Sequence, residues 1–178
     1  RILAERGFRP IRFSALPMRE PRNEPLRLRV SRGCLGGCAF CAIPLATGPL
    51  RSRPQGDVVA EFRRALSAGW DRVLLAGEDV GAYGRERGET LSQLLSALLA
   101  VSTRFELSIE SVNPEWLTDL VHAGSLIADP RVGRRWYVPL QAATTTHLRR
   151  MRRQYTIEVA TTAISQLRSL VPGLRLVT

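Results

Sequence analysis

The sequence predicts an α/β fold, a partial TIM-like (βα) barrel of about five βα units with parallel strands. Two observations carry the expectation. Apolar runs of strand length recur near positions 27, 72, 104, 136 and 174, and stretches of helical periodicity separate them. A doubly wound open sheet is the other arrangement that right-handed crossovers allow. In both, the loops at the strand C-termini carry function, and two distinctive loops follow strands one and two. These are the cysteine-bearing stretch Gly33 to Cys41 and the run Gly77-Glu78-Asp79.

Each element follows from its own residues. Residues 1–26 mix Arg6, Arg9, Arg12, Arg19 and Arg22 with Pro10, Pro17, Pro21 and Pro25 and hold no sustained period, so they read as a linker or approach segment. From Leu26 to Val30 apolar and arginine residues alternate as in a strand, and the cysteine loop follows directly. Arg51-Ser52-Arg53-Pro54 is expected to be loop. Asp57 is a candidate N-cap for a helix with Val58, Phe62, Ala65 and Leu66 on one face and Gly69 as its stop. Arg72 to Ala76 is a short buried strand. Thr90 caps a helix whose apolar face is Leu91, Leu94, Leu95 and Leu98, and Phe105, Leu107 and Ile109 alternate as the next strand.

Asn113-Pro114 reads as a cap followed by a proline at the first helical position. The helix it opens turns Trp116, Leu117, Leu120 and Val121 inward and closes at Gly124. Trp136 to Leu140 is the fourth strand, and Thr144 to Arg153 a short basic helix. Thr156 opens a longer helix carrying Ile157, Ala160, Ile164, Leu167 and Val171 to a Pro172-Gly173 stop, and Leu174 to Val177 begins a fifth strand. Residues 27–178 therefore form one core domain. A strand without its following helix is an exposed edge, so the barrel is expected to be cut short at its C-terminus. A chain that starts at Arg1 rather than methionine is expected to be a piece of something longer.

Composition bounds the setting. The 178 residues are 44% hydrophobic and 24% charged, as in an ordinary globular domain. The longest apolar stretch, Leu94 to Val101, is too short and too interrupted by serine to cross a bilayer, and no signal peptide is evident. A cytoplasmic protein with no membrane partner is expected, and three cysteines packed into one loop suit metal binding in a reducing compartment better than disulfides. The net charge of +10 favours a polyanionic partner. All 26 basic residues are arginine, however, which fits codon bias as well as a selected surface.

Cys34, Cys38 and Cys41 form a CxxxCxxC that holds every cysteine of the chain. Glycines 33, 36 and 37 let the backbone bend around a centre, and the short spacing costs little loop-closure entropy. A structural zinc site needs four ligands, and neither His122 nor His147 stands at finger-like spacing. Three thiolates suit a [4Fe-4S] cluster with one iron left open for an exogenous ligand. Zinc, a redox dithiol and three buried structural cysteines stay open as readings of the residues alone.

The motif, with Phe40 before its last cysteine and its place after the first strand, resembles the radical S-adenosylmethionine (SAM) superfamily. The likeness continues through Cys41-Ala42-Ile43-Pro44, Gly48, Arg51-Ser52-Arg53, Leu75 to Gly84, Pro139-Leu140-Gln141 and Met151 to Thr156. In order and spacing these resemble the methylthiotransferases. The run Gly77-Glu78-Asp79-Val80-Gly81-Ala82-Tyr83-Gly84 is most similar to the branch acting on threonylcarbamoyladenosine in tRNA.

The resemblance implies that Cys34, Cys38 and Cys41 ligate the cluster and that the methionyl amine and carboxylate of SAM take the fourth iron. Gly77 and Glu78 would hold the SAM amino group, and Phe40, Gln141 and Arg153 would line the same cofactor mouth. It also implies an electron-donating reductase, a tRNA substrate modified at the adenosine beside the anticodon, and a carbon-centred radical made by reductive cleavage of SAM. Arg51, Arg53, Arg149, Arg150 and Arg152 are candidate RNA-binding residues, with a solvated helix face as the plain alternative for the last three. A ribosomal protein as substrate and a non-catalytic metal-stapled RNA-binding module are the competing functions.

The chain departs from the family pattern in several places. No upstream cysteines are present for the second, sulfur-supplying cluster, and the usual downstream RNA-binding domain is absent, so this chain alone is not expected to complete methylthiolation. Thr47 stands where arginine is usual, Ala142-Ala143-Thr144-Thr145 where Ser-Gly-Ser-Asp is common, and Tyr137 where histidine is common. These changes bear on substrate contacts more than on the cluster.

Overall fold

The computed structural model describes residues 24–101 and 104–178. The expected linker therefore lies, apart from its last three residues, outside the described residues. All five expected strands form: β1 (Leu26–Arg29), β4 (Arg72–Ala76), β5 (Glu106–Ile109), β6 (Arg135–Tyr137) and β7 (Arg175–Val177). They make a parallel three-stranded sheet ordered β1-β4-β5 and a parallel β6-β7 pair. The two are joined where the Leu107 N–H donates to the Arg131 carbonyl and the Gly133 N–H to the Leu107 carbonyl. Among the described residues the arc does not close, in keeping with a partial barrel.

One face of the sheet is core. Leu28, Val73, Leu75, Leu107, Ile109 and Trp136 are buried there beneath α2 (Gln55–Ser67), α3 (Leu91–Leu99) and α7 (Ile157–Leu170). Phe62 of α2 meets Phe105 edge-to-face at 5.0 Å. Alternation puts Arg27, Arg29, Leu74, Ser108, Glu110, Arg135 and Tyr137 on the other face, which is half-buried to exposed and carries an Arg27–Glu110 ion pair. Such a polar inner face suits a lodged polar ligand better than a packed core.

The helix signals that are local in sequence are found where expected. Thr90 makes a full capping box with Gln93, and Thr144 and Thr156 cap α6 (Thr145–Arg150) and α7 through their hydroxyls. Six expectations need correction. The basic helix expected from Thr144 to Arg153 ends at Arg150, with Arg152 left-handed at φ +56°. The strand expected from Trp136 to Leu140 spans Arg135–Tyr137, giving way at Pro139, which has no N–H for a ladder. Arg51–Ser52 is a strand, β3, pairing antiparallel with β2 (Ser31–Arg32), a ladder too short to show periodicity. Helix α2 starts two residues before Asp57, because Pro54 already holds the extended N-cap conformation, and Asp57 serves the first turn instead. Asn113 makes no capping bond, and Pro114–Trp116 is a 3₁₀ turn leading into α4 (Leu117–His122). Gly124 opens α5 (Gly124–Ala128) rather than closing a helix. A short helix, α1 (Ile43–Thr47), also follows the cysteines.

Candidate functional site

The C-terminal ends of β1, β4 and β5 bring their loops together. Val30 continues β1 by donating to the Ala76 carbonyl, and the chain then turns at Gly33, whose φ of +79° excludes most side chains. A Cβ there would lie 2.3 Å from the Pro49 carbonyl oxygen, so the glycine also permits the return strand to close on the loop. The Gly33 N–H donates to Glu78 Oε2 at 3.0 Å, and Arg29 Nη1 donates to Glu78 Oε1 at 3.1 Å. Glu78 thus ties the root of the cysteine loop to the end of β4. Gly77 sits between them, its N–H 3.3 Å from Glu110 Oε2, and a Cβ there would meet Ser31 Oγ at 2.7 Å.

All three cysteines are half-buried thiols outside any disulfide. A Cβ on Gly36 would lie 3.3 Å from Cys34 Sγ and 3.6 Å from Cys38 Sγ, so the two sulfurs flank one space that the glycine leaves open. Cys34 Sγ accepts the Gly36 N–H at 3.2 Å, and Cys38 Sγ accepts Arg153 Nη1 at 3.2 Å. Burial pushes the Cys34 thiol up; the Gly36 N–H works against this, and the Asp79 and Cys38 charges add to it. Among the described residues, no three His, Cys, Asp or Glu side chains converge as the ligands of a single metal ion would.

Beneath the loop runs a buried polar chain. Asp79 is fully buried and accepts the Trp116 indole N–H at 2.8 Å. Burial raises its carboxyl above the ordinary range, against the opposing effect of hydrogen bonds from Trp116 and Asn113. Asn113 Oδ1 accepts Arg153 Nη2 at 2.8 Å, and Arg153 stacks over Tyr155 at 5.2 Å. Burial opposes the Arg153 charge, yet the Cys38 sulfur and Tyr155 outweigh it and hold the guanidinium firmly protonated. Glu115 is raised by burial and by the nearby Asp79 charge, against the opposing charge of Arg153.

Of the residues singled out from sequence, Cys34 and Cys38 flank one space, Arg153 contacts Cys38, Gly77 and Glu78 lie at the root of the loop, and the half-buried Cys41 donates its N–H to the Cys38 carbonyl at 3.1 Å. Phe40, in the cysteine loop, is 55% exposed. Gln141 lies in an open groove of about 490 Å³ with Tyr137, Pro139, Leu140 and Thr178, its φ at +67°. Arg51 faces solvent from β3. Arg53 is turned inward, paired with Glu61 at 2.6 Å and donating to the Arg29 carbonyl at 2.9 Å. Arg149, Arg150 and Arg152 are exposed at the end of α6, and the Met151 carbonyl there accepts the Ala39 N–H at 3.0 Å, which fastens the basic segment to the cysteine loop. Asp79, Asn113 and Trp116 join the site only in the fold; the adjacent acids Glu78-Asp79 after a buried strand are the one signal the sequence carries for them.

Fold and site together define a cofactor-binding partial (βα) barrel with a three-thiol loop. The family model of the radical SAM superfamily matches residues 28–178. The chain belongs to that superfamily. It is 30% identical over 164 residues to the probable threonylcarbamoyladenosine tRNA methylthiotransferase of Pyrococcus horikoshii, covering 90% of this chain and 38% of that protein. It is 33% identical over 152 residues to the threonylcarbamoyladenosine tRNA methylthiotransferase MtaB of Bacillus subtilis, covering 83% of this chain and 33% of that protein. The tRNA-2-methylthio-N(6)-dimethylallyladenosine synthase of Chloroflexus aurantiacus is 33% identical over 92% of this chain and 36% of its own length. The chain thus spans well under half of these relatives. Among solved structures, the cobalamin-dependent SAM radical enzyme OxsB superposes with TM-score 0.68 at 18% identity, over 85% of this chain and 23% of that one. The radical SAM methyltransferase TsrM of Kitasatospora setae does so with TM-score 0.67 at 16% identity, over 85% and 30%. These two likenesses concern the fold.

Proposed function

We propose that this chain is the radical SAM core of a tRNA methylthiotransferase, with Cys34, Cys38 and Cys41 holding a [4Fe-4S] cluster and Gly77 and Glu78 receiving the amino group of SAM. The observation that carries the reading is the loop itself, three half-buried thiols on a glycine-lined turn at the end of β1, clamped to the β4 loop by Glu78. The donor set fits the cluster. Thiolates are the ligands that iron–sulfur clusters take, N–H groups already point at two of the sulfurs, and cluster ligands bind separate irons and need not meet at one point. Held by Cys34, Cys38 and Cys41, the cluster would supply one-electron reducing chemistry toward the sulfonium of SAM.

The protein's own part is binding, orientation and exclusion of water. Glu78 uses two of its roughly four lone-pair sites on Gly33 and Arg29 and keeps acceptor capacity for an ammonium. Gly77 keeps side-chain bulk away from that position. The polar inner sheet face offers Arg27, Arg29 and Glu110 to the remainder of a polar cofactor. The tRNA reading is supported by the activities of the relatives named above and by the exposed arginines beside the cysteine loop, and the Gly77 to Gly84 run favours the threonylcarbamoyladenosine branch. A separate reductase supplies the electron. Among the described residues no helix is long and apolar enough to cross a membrane, and a cytoplasmic location follows from the tRNA reading.

Anaerobic reconstitution tests the proposal. It should give about four irons per chain and, with reductant and SAM, release of 5′-deoxyadenosine that Cys38→Ala abolishes. One tightly bound zinc and no deoxyadenosine would overturn it.

A further inference from the structure

We infer that Arg153 is a positioning residue that fixes the Cys38 sulfur and raises the reduction potential of the cluster held there. The inference rests on the reading of the three cysteines as cluster ligands. Arg153 lies 115 positions from Cys38 in sequence, yet Nη1 stands 3.2 Å from its sulfur. The guanidinium is held at three further points: Nη2 donates to Asn113 Oδ1 at 2.8 Å and to the Pro139 carbonyl at 3.3 Å, and the plane lies over the Tyr155 ring. Its Nε is buried. A planar fork fixed on one side aims its remaining N–H groups on the other, which lysine cannot reproduce.

The three thiols are not equivalent. Cys34 receives a neutral backbone N–H from within its own loop, whereas Cys38 receives a charged donor from a different part of the fold. A cluster gains negative charge on reduction, so a cation and an N–H···S bond at one ligand stabilise the reduced form more than the oxidised one. The acids that face the guanidinium, Asp79 and Glu115, partly offset that charge without touching the sulfur. Asn113 explains why Arg153 stays in place. It is buried, it lies on the loop after β5, and its oxygen is used by Arg153 rather than by a helix cap.

The experiment is a redox titration of the anaerobically reconstituted 178-residue chain without SAM, followed by electron paramagnetic resonance. At equal iron content, Arg153→Gln should move the one-electron equilibrium about tenfold toward the oxidised cluster, about 59 mV for a one-electron couple. Arg153→Lys and Asn113→Ala, which keep the positive charge but lose the fixed fork, should move it less in the same direction. An unchanged potential in iron-loaded Arg153→Gln overturns the inference. If that variant holds no iron, the other two decide: a lowered potential in either supports the inference, and wild-type values in both overturn it. The iron content of the wild-type protein tests the cluster reading by itself, so the two failures are distinguishable.

Discussion

The candidate site has two sides of unlike construction. On the β1/β4 side, the cysteine loop is fastened by the Gly33–Glu78 bond, the β2–β3 ladder and the Arg53 N–H on the Val30 carbonyl, all just beyond the C-terminal ends of two paired parallel strands. On the β6/α6 side the strands are three residues long, Tyr137 is 45% exposed, Gln141 borders an open groove, and the link to the loop is the Ala39–Met151 bond together with Arg153. The first side suits a cofactor that must be held in one geometry. The second suits substrate contacts, which tolerate change, and it carries the departures at Tyr137 and at Ala142 to Thr145.

Breaking the rigid side should have the largest effect. Gly33→Ala places a Cβ 2.3 Å from the Pro49 oxygen in a left-handed conformation, so it should destabilise the domain by about 2–5 kcal/mol in urea unfolding. Gly37→Ala in the same loop meets nothing within 4 Å and should change stability by less than about 1 kcal/mol. Equal effects at the two glycines would show that the loop is not clamped as described.

Asp79 ties the β4 loop to the 3₁₀ turn after β5, and its substitution should come next in size. Asp79→Ala leaves the Trp116 indole N–H without its acceptor, at a cost of about 1–3 kcal/mol. Asp79→Asn keeps an acceptor and removes a charge that burial opposes. Because the folded carboxyl titrates above its unfolded value, the stabilisation from its protonated form is complete below the unfolded pKa and is lost as pH rises through the folded one. Asp79→Asn should therefore gain on the wild type as pH rises and lose that advantage in acid. Denaturant unfolding across pH reads this directly, and parallel curves for the two proteins would place the ionised carboxylate at no cost in the fold.

The order in which these features could be read from sequence follows the range of the forces involved. Thr90, Thr144 and Thr156 act within a turn of their own position, and strand alternation is local, so the five strands and the main helices were legible. The β2–β3 ladder has two residues per strand and no period to detect. Asn113 carries the residue type and the following proline of a helix cap, and only the fold reveals that its oxygen is taken by Arg153. Arg51 and Arg53 look alike in sequence, yet Arg51 in β3 faces solvent while Arg53, just past the end of β3, pairs with Glu61. Cys38 and Arg153 are each visible as residues, while their contact depends on the whole path from β1 to α6.

Arg149, Arg150 and Arg152 sharpen the comparison at its smallest stability effect. They are exposed and placed on the adaptable side, so changing all three to glutamine should leave the unfolding free energy within about 0.5 kcal/mol. If they meet the phosphates of a tRNA, the same triple variant should weaken binding uniformly across RNA sequences and reduce the salt slope by about one per arginine that contacts phosphate. Arg153→Gln should show the opposite pattern, altering the cluster potential while leaving the salt slope of RNA binding intact, because its guanidinium is already engaged with Cys38 and Asn113. Filter binding at several salt concentrations separates the two. An unchanged slope in the triple variant would assign this run to a solvated helix face and move the RNA contact elsewhere on the surface.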